Sequence, residues 1–343
     1  MSRKLILPIA ALIFASACDE PAEPETEERL FNIDQELETV ASFNPQLGEA
    51  PESVAADFDG NLYVSMALTG EIRKIDSEGN SSTLTFLPLG VPTPECGPFG
   101  GIQGALATDF DGNLYASVAS CNAEDRGVWR ISMDDGSAER IAALPFTSLP
   151  NGIARFDGRL YVADSLGAIW TLPLEGGEAE IWVSDISLAP TGLAIVGPLG
   201  PIPVPGANGI QFYGDDAYVA NSSSGEILRI HVENDGSAGG VELYHTLDGE
   251  DDGCDDFAID LFRRIYCTTD PFNTVVRIDP NGNEKLIFTA DDGLDGPTAA
   301  TFGRGANWNT LYITNAAFPF FFGTGNGASL QKTERFIGGY PFR

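Results

Sequence analysis

Short runs of β-forming residues recur along this chain, and in each an apolar residue is followed by tyrosine. The pairs are Leu62-Tyr63, Leu114-Tyr115, Leu160-Tyr161, Ala217-Tyr218, Ile265-Tyr266 and Leu311-Tyr312, spaced 46 to 57 residues apart. A small-residue run precedes each pair, for example Ser53-Val54-Ala55-Ala56. Turn signals such as Asp59-Gly60-Asn61 and Asp111-Gly112-Asn113 separate the two, as in hairpins that need positive φ. A third run often ends in Arg-Ile, as in Val128-Trp129-Arg130-Ile131, Ile227-Leu228-Arg229-Ile230 and Val275-Val276-Arg277-Ile278. A fourth, more polar run follows, such as Ala138 to Ala143 or Val241 to His245. Four short strands every 50 or so residues predict an all-β fold, a six-bladed β-propeller.

The sixth unit lacks a fourth run, because the chain nearly ends after Ser329-Leu330-Gln331-Lys332. The run Leu37 to Phe43 reads as an outer strand with no blade before it. It is expected to complete blade six, closing the ring and removing an open sheet edge. The repeating tyrosines are read as core.

The remaining segments read differently. Ser2-Arg3-Lys4 followed by the apolar Leu5 to Phe14 reads as an export signal too short to span a bilayer. Ala15-Ser16-Ala17-Cys18 resembles a bacterial lipobox, which implies cleavage before Cys18 and its lipidation; plain secretion is the alternative. The expected organisation is a signal peptide over 1–17, an acidic Pro-containing tether over 18–31 and the propeller over 32–343. The expected place is the bacterial cell envelope, with the lipid anchor as the one membrane contact.

Asp and Glu total 50 against 19 Lys and Arg, a net charge of −31. This speaks against nucleic acid as a partner, since phosphate binding needs a basic footprint. Cys96, Cys121, Cys254 and Cys267 form an even set in an exported chain, which points to disulfides. Local pairing, Cys96 with Cys121 and Cys254 with Cys267, is the expectation among three connectivities. Histidine occurs only at 231 and 245, both in outer-blade segments, which disfavours zinc and a Ser-His-Asp triad.

Just before the innermost strands lie Glu52, Gln103, Asn151, Asn208, Asp256 and Thr298. Equivalent positions of successive blades converge on the axis, so these six are the candidate ring. Carboxylate and amide oxygens around one pocket suit a hard cation, Ca²⁺ or another divalent ion. Asp164 is expected at a surface strand end, outside the ring.

Several stretches carry a family likeness. They are Pro150-Asn151-Gly152-Ile153-Ala154 with Tyr161 to Ser165, Gly206-Ala207-Asn208-Gly209-Ile210, Asp255 to Asp260, and Gly296-Pro297-Thr298 with Phe302-Gly303-Arg304. In these the chain resembles the SMP-30/gluconolactonase/LRE-like propellers from about Leu37 onward. The resemblance implies a divalent metal held by Glu52, Asn208 and Asp256, with Asn151 at the metal or substrate and Asp256 also the catalytic base. Gln103, Asn151 and Thr298 are the expected substrate contacts. The implied activity is hydrolysis of a small lactone or similar ester. Gln103-Gly104, and Pro51-Glu52-Ser53 where many members carry Glu-Gly-Pro, depart from the lactonase pattern and leave the substrate open. A non-catalytic tethered binding propeller, or another enzyme class such as an organophosphate hydrolase or cyclase on the same metal site, is the competing reading.

Overall fold

A computed structural model describes residues 36–93, 96, 100–249 and 253–341. The expected leader and tether, with Cys18, lie outside these residues.

Six four-stranded antiparallel sheets follow one another along the chain. Blade one is β2 (Pro51–Ala56), β3 (Leu62–Met66), β4 (Glu71–Ile75) and β5 (Ser81–Phe86). Blade two is β6 (Ile102–Thr108) to β9 (Ala138–Ala143), and blade three is β10 (Pro150–Phe156) to β13 (Glu180–Ser184). A two-stranded hairpin, β14 (Ala194–Gly197) and β15 (Gly200–Pro203), follows. Blade four is β16 (Ala207–Tyr213) to β19 (Ala238–Thr246), and blade five is β20 (Phe257–Ile259) to β23 (Glu284–Phe288). Blade six is β24 (Pro297–Phe302), β25 (Thr310–Asn315) and β26 (Ser329–Glu334), joined by β1 (Glu38–Ser42). The first strand pairs antiparallel with the last, Glu38 opposite Lys332 and Ser42 opposite Ser329, so the ring closes as the sequence predicts.

The burial pattern explains why the inner strands are not alternating. All five residues of β3 and all six of β25 are buried, because each blade is covered by a neighbour on both faces. Each of the six apolar clusters lies between two consecutive blades. Val54 and Val64 meet Tyr312 and Leu330 across the closure, and Tyr63 and Ile72 meet Leu114 and Ile131 across the next gap. Truncating one such side chain, as in Ile72→Ala, costs about 2–5 kcal/mol.

The repeating tyrosine has a polar task as well. The Tyr63, Tyr115 and Tyr266 hydroxyls donate to carboxylates of Asp57, Asp109 and Asp260 at 3.0, 3.0 and 3.2 Å. Those carboxylates also accept the backbone N–H groups that close the hairpin turns, such as Asn61 N on Asp57 at 2.8 Å. Tyrosine therefore fills the gap between blades and pins the turn beside it. Disulfides join Cys96 to Cys121 and Cys254 to Cys267, the local pairing expected.

Candidate functional site

The strand register decides which residues share a level around the axis. In each blade one inner-strand residue faces the repeating tyrosine: Ala55, Ala107, Ala154, Gln211, Ala258 and Thr301. Three residues before each lie Glu52, Gly104, Asn151, Asn208, Asp255 and Thr298. The sequence reading placed Gln103 and Asp256 on this ring; the register puts their neighbours Gly104 and Asp255 there. Five of the six positions fall inside a β-bulge, such as that between Pro150 and Ile153. A bulge re-aims a side chain, so alternation counted from sequence misses Gly104 by one; Asp255 and Asp256 lie before β20, outside its alternation.

Glu52, Asn151, Asn208 and Asp255 line one cavity of about 370 Å³ at the channel mouth, together with Asp270 from the loop after β21 (Ile265–Thr269). Asp256 stands one level deeper, in the channel proper, with Ser53 and Gln211. Its Oδ1 accepts from Phe257 N at 2.8 Å, and it abuts Gly209, where any Cβ would meet that oxygen. Gln103 is fully buried, and its carboxamide atoms have no partner among the described residues. Thr298 is 1% exposed; its hydroxyl donates to Pro51 O at 2.9 Å and meets Thr314 Oγ1 at 2.9 Å. It stitches blade six to blade one instead of facing the mouth.

The amides at the mouth are oriented. Asn151 Nδ2 donates to Ser165 Oγ at 3.4 Å, and Asn208 Nδ2 donates to Ser222 Oγ at 3.0 Å and to Asp255 Oδ1. Ser222 is itself held by Cys254 O at 2.8 Å. Both amide Oδ1 atoms, the Glu52 carboxylate and the buried Asp270 Oδ1 accept no hydrogen bond among the described residues. Such orphaned oxygens are what a hard cation needs, and they include no nitrogen or sulfur donor. Among the described residues no three His, Cys, Asp or Glu side chains cluster on their own. The carboxylates come from blades one and five and the amides from blades three and four, so a cation here would draw on amide oxygens too.

The electrostatics fit that reading. Burial raises Glu52 to about 8, with Asp270 and Asp256 adding repulsion. Asp255 is also raised, by burial and then by Glu52, Asp270 and Asp256, while the Asn208 hydrogen bond pulls it back. Asp270 rises to about 8 through burial and Asp295, and Asp256 to about 7 through burial. Carboxylates this close repel unless a proton or cation intervenes.

Three features of the mouth were not anticipated from the sequence. Its walls are apolar: Ile202 to Pro205, from the end of the β14–β15 hairpin and just beyond it, and Phe318, Phe320 and Phe321. The 57-residue spacing from Tyr161 to Tyr218, the longest in the series, was the sequence signal of that insertion. Asp270 is the second; nothing in the repeat marks it. The third is Arg126, 4% exposed, whose Nε donates to Ser120 O at 3.0 Å and whose ring-side neighbour is Phe146 at 4.6 Å. By contrast, Asp164 is not a surface residue. It is 4% exposed and accepts from Leu149 N at 2.8 Å, Leu166 N at 3.1 Å and Trp170 Nε1 at 3.0 Å. The two histidines lie away from the mouth, His231 on Asp216 at 2.8 Å and His245 on Glu284 at 2.5 Å.

Residues 202–317 match the model of the SMP-30/gluconolactonase/LRE-like region, and that stretch carries Asn208, Asp255 and Asp270. Comparison with curated proteins gave no match. Solved structures share the fold. A calcium-binding regucalcin from Agrobacterium tumefaciens is 16% identical, with 89% of this chain and 95% of that chain covered and a TM-score of 0.66. A gluconolactonase from Xanthomonas campestris is 15% identical, with 93% and 95% covered and a TM-score of 0.64. A virginiamycin B lyase from Staphylococcus aureus is 13% identical, with 89% and 100% covered and a TM-score of 0.57. The chain thus carries an SMP-30/gluconolactonase/LRE-like region within a six-bladed propeller.

Proposed function

We propose that this protein is a divalent-cation-dependent hydrolase of lactones or related esters, with Ca²⁺ the best-suited ion. The observation that carries the reading is the meeting of Glu52, Asn151, Asn208 and Asp255 at one level, with unsatisfied oxygens, in an apolar-walled cavity. The cation-holding set is Glu52, Asn208 and Asp255, with Asn151 beside them.

When bound, the ion would supply polarisation of the ester carbonyl and charge for the tetrahedral oxyanion. The rest falls to the chain. Asp255, placed at the mouth and oriented by Asn208 Nδ2, is the carboxylate positioned to take a proton from an attacking water. The roles that the family resemblance implies for Asp256 pass to Asp255, because Asp256 faces the channel below. Asn151, held by Ser165, orients the bound substrate. Arg126, the cation on the cavity wall, favours the carboxylate that ring opening releases. The walls formed by Ile202, Val204, Phe318 and Phe320 exclude water and suit a substrate with an apolar substituent over a bare sugar lactone.

The test is turnover of a panel of lactones and aryl esters of graded side-chain length, with Ca²⁺ and with chelator. Calcium-dependent turnover, rising with apolar chain length and lost in Asp255→Asn, supports the reading. Calcium binding with no turnover of any member leaves the binding-propeller reading in its place.

A further inference from the structure

The channel has a second end with a different chemistry. Each inner strand starts at the mouth, so Arg155, four residues past Asn151 on β10, lies about 13 Å deeper at 3.3 Å per residue. Arg304 follows the end of β24 and reaches the same level. Both line the narrow channel with Thr108, Gln211 and Thr301.

Arg155 is 7% exposed, and its Nε and Nη2 are buried with no hydrogen-bond partner among the described residues. Its guanidinium rests over the Phe110 ring at 4.4 Å, and that of Arg304 over Phe58 at 5.3 Å. The two rings stack with centroids 5.5 Å apart. The two guanidiniums are therefore presented side by side on an aromatic shelf. Burial and the neighbouring Arg155 lower Arg304 to about 10.

The carboxylates of Asp57 and Asp109, which act electrostatically on the arginines, each hold a hairpin turn. Asp109 accepts from Asp111 N, Asn113 N, Asn113 Nδ2 and Tyr115 Oη at 2.7–3.0 Å. Asp57 holds the equivalent turn in blade one. A buried guanidinium whose donors are unmet is costly, and in a chain of net charge −31 two cations facing one channel are out of keeping with the rest of the surface. An anion between them would meet both needs through charge-assisted hydrogen bonds.

Outward from the arginines the channel opens into a cavity of about 220 Å³, walled by Phe58, Phe110, Phe302, Trp308 and Tyr340. Gln211, Thr301 and Arg304 line both spaces, so the polar and aromatic parts are continuous. We propose that this end of the channel binds a small organic carboxylate, its head between Arg155 and Arg304 and its aromatic or apolar body against Phe58, Phe110 and Trp308. The site is separate from the mouth and stands whether or not the mouth is catalytic.

The full chain is titrated with benzoate, with its neutral counterpart benzyl alcohol and with inorganic phosphate, followed by calorimetry and by tryptophan emission, which Trp308 in the cavity wall reports. Saturable benzoate binding is expected, with benzyl alcohol and phosphate each at least about tenfold weaker, the equivalent of one lost charged contact or of the aromatic one. Arg155→Gln should weaken benzoate by about tenfold or more and leave any cation response of the mouth unchanged. Equal affinity for benzoate and benzyl alcohol overturns the proposal, as does phosphate binding as tightly as benzoate, or no saturable benzoate signal up to about 10 mM, where binding is weaker than about −3 kcal/mol. The wild-type comparison decides the matter even if Arg155→Gln fails to fold.

Discussion

Asn208 Nδ2 donates to Asp255 Oδ1 across the gap between blades four and five, and the same nitrogen reaches Ser222 Oγ at 3.0 Å. One amide thereby fixes the orientation of the carboxylate next to it and turns its own oxygen to the opposite side. The pair binds two blades together at the point where the channel opens, so the site's geometry is as rigid as the blade packing beneath it.

Asp255 and Asp256 should separate cleanly by substitution. Asp255→Ala is expected to abolish the calcium-induced rise in melting temperature, which for wild type at 100 times Kd corresponds to about 2.7 kcal/mol by linkage. Asp256→Ala, one level deeper, should keep most of it. Differential scanning fluorimetry with and without calcium reads both; a reversed order would return the ligand role to Asp256.

The cation-free protein should lose stability as pH rises. Folded Glu52 and Asp270 sit at about 8, against roughly 4.3 and 3.9 for free carboxyls. Between those values the folded chain holds protons that the unfolded chain has released, so the slope of unfolding free energy with pH is negative. The melting temperature in chelator should therefore fall from pH 5.5 towards pH 8.5. Calcium should restore more at pH 8.5 than at pH 5.5, because deprotonated ligands bind it better. A calcium shift that is the same at both ends would contradict this.

Asp164 is a stability residue. It accepts two backbone N–H groups and the Trp170 indole while almost fully buried. Asp164→Ala leaves these donors unmet and should cost about 1–3 kcal/mol, with calcium binding intact. Urea unfolding alongside calorimetry would expose the error if the variant proved as stable as wild type.

Ring closure depends on β1. A chain starting at residue 30 should melt like the longer one, whereas a chain starting at residue 44 loses β1, the Phe43 contact with Val54 and Leu330, and the cover on β26. Equal melting of the two truncations would mean that the closure contributes nothing to stability.

The fold was largely legible because its causes are local and repeated. Each blade must bury both faces of its inner strands, so apolar and small residues recur at a fixed spacing with turn residues between them. Even the closing strand was visible at 37–43, because an outer-strand pattern with no blade of its own has one place to go. The paired cysteines were readable from proximity within a unit.

The site was legible only in part. Glu52, Asn151 and Asn208 were found by their position before an inner strand, and the structure brings them together. The structure sets Asp255 beside them at the mouth, one residue from the Asp256 expected there; Asn151-Gly152-Ile153 and Asn208-Gly209-Ile210 set beside Asp255-Asp256-Phe257 already align Asp255 with the asparagines. In a strand each step of one residue reverses the side chain, and Asp255 and Asp256 precede β20 (Phe257–Ile259), where the strand's own alternation gives no count. Asp270, Arg126, the Phe318–Phe321 wall and the facing of Arg155 and Arg304 carry no sequence signal, because they are distant in the chain and outside the repeat. The sequence alone determined how many blades form and how the ring closes, since that follows from periodic burial. Which side chains meet on the axis was decided by the tertiary structure, because convergence depends on bulges and loop paths that no period encodes.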